Sequence, residues 1–84
     1  MASKIEQIRS LIDGTHVMGD LNGLREYHAA RAVRDANRCG TTDSRFAAMR
    51  KALKNYRVSV TREPGSSTIR IRNHATGAEY LAHS

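Results

Sequence analysis

The residue types most able to do chemistry in this chain are four histidines and one cysteine, and their spacing argues against joint work. His28 and Cys39 fall on one side of an expected helix, the arrangement of a base beside a nucleophile. Eleven helical positions separate them by about 16 Å, beyond hydrogen-bond reach. Cys39 also falls at that helix's C-terminal end, whose partial negative charge opposes thiolate formation. A buried structural thiol is the expectation there. His16, His28, Cys39, His74 and His83 show no metal-ligand spacing. Asp13-Gly14 with His16 reads as a helix stop followed by a loop, and no glycine motif that cradles phosphate is present. The sequence therefore predicts no catalytic residues, no metal and no cofactor.

The basic residues carry more information. Fourteen Lys and Arg stand against eight Asp and Glu, a formal charge of +6, and eleven of the fourteen are Arg. A chain this basic repels itself unless a negative partner relieves it. The planar guanidinium suits bidentate phosphate or guanine contacts better than an ammonium does. The charge is unevenly placed: residues 1–24 carry a net −1 and residues 25–84 a net +7. The basic surface is thus built after the first helix.

Three helices are expected to position these bases, over about 4–13, 21–38 and 43–54. Ser3 and Glu6 make a capping box for the first, Ile5, Ile8, Leu11 and Ile12 form its apolar stripe, and Gly14 stops it. Asp20 or Asn22 is the expected cap of the second. Its apolar side reads as Leu21, Leu24, His28, Ala32, Ala36 and Cys39, with Ala29 and Val33 flanking. Tyr27, Arg31, Arg34 and Arg38 recur on the opposite side, with Asp35 near enough to pair with Arg31 or Arg38. Gly40 ends that helix, and Thr41, Thr42 and Asp43 offer caps for the third. Phe46, Met49, Ala52 and Leu53 form its buried side; Ser44, Ala47, Arg50, Lys51 and Lys54 form its open side.

From Tyr56 the period changes to alternation, with strands expected over about 56–62, 67–73 and 78–82. Glu63-Pro64-Gly65-Ser66 reads as a type II turn. A hairpin symmetric about Pro64-Gly65 sets Val60 against Ile69, Val58 against Ile71 and Arg57 against Arg72, although a longer loop is compatible with this turn type. A third strand sets Tyr80 against Ile71 and Glu79 against Arg72.

The fold class expected is α+β: one small domain of three helices followed by a two- or three-stranded antiparallel meander. In its order this arrangement resembles a winged helix-turn-helix, in which the second helix of the pair enters the major groove and the hairpin touches flanking backbone. That resemblance implies duplex DNA as the partner, with Arg50, Lys51 and Lys54 on the reading helix and Arg57, Arg62, Arg70 and Arg72 on phosphates. Two plainer readings stand beside it. Bases late in a helix complement its negative end, and Glu79 can neutralise Arg72.

Tyr27, Arg31, Arg34 and Arg38 make a second candidate surface, suited to an unpaired base and its phosphates and hence to RNA or single strands. A rival of another class is a protein-interaction module, such as a virus-encoded modulator, docking on an acidic patch of a larger protein. Small domains without disulfides or metals often dimerise, which leaves a homodimer open although no residue specifies it. The lone cysteine suggests a reducing compartment, and no apolar run approaches the ~20 residues that cross a bilayer. A cytoplasmic protein without a membrane partner is the expectation.

Overall fold

A computed structural model describes residues 3–18 and 23–83. These residues form α1 (Lys4–Ile12), α2 (Gly23–Ala36) and α3 (Thr42–Ala52), then β1 (Ser59–Arg62), β2 (Ile69–Arg72) and β3 (Glu79–Ala82). The strands pair antiparallel in the order β1-β2-β3, so the three helices lead into a three-stranded meander. The Cα radius of gyration is 11.9 Å, against about 11.8 Å for a compact chain of this length.

Helix ends follow local chemistry. The Ser3 hydroxyl accepts the Glu6 N–H, Thr41 does the same for Ser44, and Gly14 takes φ 77° just beyond α1. The expected caps Asp20 and Asn22 and the expected core position Leu21 lie outside the described residues, as does the Leu24 side chain.

The helices cover one face of the sheet, with α1 against β3 and α3 against β1. Ile8 and Ile12, Ala30 and Val33, Met49 and Leu53 meet Ile69 and Ile71 in the core. Ile5 and Phe46 pack against its margin. α2 departs from expectation in its rotation. Its buried positions are Glu26, Ala30, Val33 and Ala36, whereas His28, Ala32 and Cys39 are exposed. The buried stripe is thus turned by roughly a third of a turn from the one the apolar pattern suggested. An alanine-rich helix with one large aliphatic in its described part gives little periodic signal, and a buried Glu26 contradicts it. Cys39 is consequently an exposed thiol rather than a core one.

The hairpin register also differs. Val60 faces Ile71, Arg62 faces Ile69 and Ser59 faces Arg72. This is a shift of two residues, which keeps the same side chains on the same face. The Glu63–Ser66 turn does form, with Ser66 N–H on the Glu63 carbonyl at 3.1 Å and Gly65 at φ 78°. The loop then continues through Thr68, because Ser66 Oγ accepts the Thr68 N–H and the Ser67 carbonyl accepts from Arg45. β1 starts later than expected because its approach is used elsewhere. The Arg57 N–H donates to the Thr15 carbonyl (2.7 Å) and the Val17 N–H to the Asn55 carbonyl (2.8 Å) around a His16–Tyr56 bridge. β2 and β3 pair as expected, Ile71 with Tyr80 and Arg72 with Glu79.

Two buried polar residues tie the elements together. Arg45, on α3, is 2% exposed. Its Nε and Nη2 donate to Asn37 Oδ1 (3.0 and 2.6 Å), Nη1 to the Ser67 carbonyl (2.7 Å), and Nη2 to the Ala82 carbonyl (3.1 Å). Asn73 donates from Nδ2 to the Leu11 carbonyl (2.9 Å) and accepts the Ala75 N–H (3.0 Å), pinning the β2–β3 turn to the end of α1.

Candidate nucleic-acid interface

The open side of α3 is as expected: Ser44, Ala47, Arg50 and Lys51 are all exposed. Leu53 caps the helix at its C-terminus, so Lys54 projects from the turn that follows rather than from the helix itself. That turn leads directly into Arg57 and β1. Arg50, Lys54, Tyr56, Val58, Ser59 and Thr61 line an open groove between the end of α3 and β1. The Arg50 guanidinium lies over the Phe46 ring, 5.6 Å from its centroid, which fixes its stem against the protein surface.

The sheet divides the remaining candidates. Arg62 shares the face of Val60 and Ile69, the face that packs on the helices. There it pairs with the Asp43 carboxylate at the start of α3 and lies 5.9 Å from the Phe46 centroid. Arg70 and Arg72 project from the opposite face. Both meet Glu79, at 3.2 and 3.6 Å, and Arg70 also meets Glu63 at 3.8 Å. The expected Arg57–Arg72 juxtaposition is absent because of the two-residue shift, and the residue across from Arg72 is Ser59. Among the described residues, Arg50, Lys51, Lys54 and Arg57 have no carboxylate partner, whereas Arg62, Arg70 and Arg72 do.

No protein-family model matches the chain, and no curated protein or solved structure is significantly similar to it.

On α2, Tyr27 is half-buried and meets the His28 ring edge-on at 5.7 Å, while Arg31 and Arg38 are exposed. Asp35 pairs with its neighbour Arg34 at 3.0 Å, not with Arg31 or Arg38. The row is therefore present on the surface, but its middle charge is compensated.

Three features escaped the sequence reading. Arg45 is buried, although arginine ordinarily signals surface. His74 reaches back from the β2–β3 turn to hydrogen-bond the Ser59 hydroxyl on the rim of the groove, a contact that only the strand pairing brings about. A hydroxyl beside an imidazole is the contact a nucleophile makes with a base, but among the described residues no carboxylate orients His74. The third is a cluster of buried His16, Tyr56 and Glu26 beside the exposed Arg25. His16 sits edge-on to Tyr56 at 5.1 Å, and Arg25 Nη1 lies 3.1 Å from His16 Nε2. Glu26 is 1% exposed, with neither carboxylate oxygen hydrogen-bonded among the described residues. Burial pushes the Tyr56 phenol above its usual value, the Glu26 carboxylate adds to that, and Arg25 opposes it. No group of three or more His, Cys, Asp or Glu able to hold a metal ion occurs among the described residues. No described helix is long and apolar enough to cross a membrane.

Proposed function

We propose that this chain binds duplex nucleic acid, DNA before RNA, through the end of α3 and the start of β1. One observation carries the reading: Arg50 and Lys54 line one open groove, Lys51 and Arg57 are exposed and adjacent to that segment in sequence, and none of the four has a carboxylate partner among the described residues. Uncompensated cations held close together repel one another, and a row of phosphates turns that repulsion into attraction. A duplex is favoured over a single strand because the groove offers no exposed aromatic platform. Tyr56 is buried and Phe46 lies beneath two guanidinium groups, whereas single-strand binders stack bases on open rings.

The four bases stand at the end of the helix rather than at its start, where recognition helices place their base-reading side chains. Their work is therefore phosphate contact, which positions a duplex without reading its sequence. The hairpin arginines add less than their number suggests, since Arg62, Arg70 and Arg72 must leave carboxylates to reach a phosphate.

The test is fluorescence anisotropy against random duplex DNA, single-stranded DNA and structured RNA across a salt series. Four phosphate contacts predict a log–log salt slope of about −3.6 on duplex DNA. The Arg50→Glu/Lys54→Glu double variant should weaken binding more than tenfold at low salt and flatten the slope by about two. Parent-like binding by that variant removes α3 from the interface. Absence of nucleic-acid binding at low salt leaves an acidic protein surface as the partner, whose affinity should vary less with salt.

A further inference from the structure

The edge of the sheet away from the groove carries a different kind of basic site. Lys4 on α1, Arg34 and Arg38 at the end of α2, and Tyr80 on β3 surround a recess of about 110 Å³. Val33, Met49 and Ala82 form its apolar floor. α3 packs on β1 and α1 on β3, so this recess and the α3–β1 groove lie at opposite edges of one sheet. We propose that the recess binds a phosphate monoester, independently of the nucleic-acid surface on α3.

The charge around the recess calls for an anion. Among the described residues, Asp35 is the one acid bonded to a lining cation. It takes the Nε and Nη2 of Arg34 on a single oxygen, at 3.3 and 3.0 Å. Lys4 and Arg38 have no carboxylate partner among the described residues. Glu6, the acid nearest in sequence to Lys4, turns towards Arg9 at 3.7 Å. Asn37 also lines the recess but is committed, donating to the His83 carbonyl and accepting from Arg45. The Tyr80 hydroxyl has no hydrogen-bond partner among the described residues. Burial pushes its ionisation up, so it stays a proton donor at neutral pH.

Size and shape select among phosphates. A cavity of about 150 Å³ holds one benzene, so this recess has room for a single tetrahedral phosphate and none for a nucleoside. A mid-strand diester carries one charge and continues on both sides, which requires a track. A monoester carries a charge of about −1.5 to −2 at pH 7 and projects from the end of its molecule. Two uncompensated cations, Lys4 and Arg38, the Asp35-paired Arg34, a neutral donor and an apolar floor match the second. Two sources share this chemistry: the terminal phosphate of a nucleic-acid strand, and a small phosphorylated molecule or inorganic phosphate.

The experiment titrates ¹⁵N-labelled full chain with inorganic phosphate and with a matched pair of short oligonucleotides, 5′-phosphorylated and 5′-hydroxyl. If the recess takes a monoester, amides of Lys4, Arg38 and Tyr80 shift with the phosphorylated probe, which binds roughly tenfold tighter than its hydroxyl twin. Shifts at the same amides with inorganic phosphate alone identify the small-molecule source; shifts with the oligonucleotide alone identify the strand end. Lys4→Gln/Arg38→Gln should abolish the preference, and Tyr80→Phe should reduce it without changing charge. Arg50→Glu/Lys54→Glu should lower affinity for both oligonucleotides yet preserve their ratio, which separates this site from the α3 surface. Equal binding of the pair, with no shift at the recess from either phosphate source, overturns the proposal.

Discussion

At Arg45 a full positive charge lies almost without solvent, answered by a side-chain amide oxygen and two main-chain carbonyls. Truncation removes the donor from the buried Ala82 carbonyl, a loss of about 1–3 kcal/mol, and from two part-buried oxygens that water can partly reach. Arg45→Met should therefore lower stability by about 2–3 kcal/mol, a large share of what a domain of this size possesses. Arg45→Lys should recover little, because one ammonium cannot reach acceptors that a planar fork meets from two sides. Urea denaturation of both variants checks this, and a loss under 1 kcal/mol would contradict it. The capping residues Ser3 and Thr41 were legible in the sequence because their partners are three residues away. Arg45 was not, since its partners lie 8, 22 and 37 residues away and nothing local distinguishes it from an exposed base. Glu26 was hidden because nothing next to it in the sequence marks an acid on an alanine-rich helix as buried.

At the scale of elements, the helix–helix–helix–meander order was legible because α1 carries a strong apolar stripe, Gly40 and Thr41 mark the start of α3, and the strands alternate. The phase of α2 was not, since its alanines fit either side of a helix. The hairpin register was missed by two residues because alternation fixes which face a side chain takes and leaves even-numbered shifts open. The loop that sets the shift depends on Gly65 in the left-handed region at φ 78°. Gly65→Ala should destabilise by about 1 kcal/mol through backbone strain alone, since a Cβ there meets open space. A thermal melt lowered by about 4–8 °C is the expected reading. That same register decided the candidate site. It separated Arg57 from Arg72, while the β2–β3 pairing set Arg70 and Arg72 beside Glu79, which leaves the end of α3 as the uncompensated part of the expected surface.

For the whole molecule, excess positive charge and buried phenols set opposite responses to pH. Tyr56 and Tyr80 both ionise above the ordinary value of 10.0, chiefly because they are desolvated. Below that value both folded and unfolded chains keep the protons, and the stability these residues contribute is fully present. As pH rises past it the unfolded chain releases protons first, so the native state binds more and stability falls. The urea midpoint should decline above about pH 10, and Tyr56→Phe should make the decline shallower. Mutual repulsion among the bases relaxes over the same range as lysines discharge, so the tyrosine effect should be clearest at high salt, where that repulsion is screened.

The four-way grip of Arg45 also bears on how the molecule comes apart. The last residue of β3, the loop before β2, the end of α2 and the body of α3 share one guanidinium. A short edge strand would ordinarily open at little expense. Here, lifting Ala82 away leaves a desolvated cation short of an acceptor, and the helices cannot separate without the same loss. Opening of the β3 edge and unfolding of the helical layer are thereby merged into one event, so amides in β3 and in α3 should exchange with solvent at nearly the same free energy.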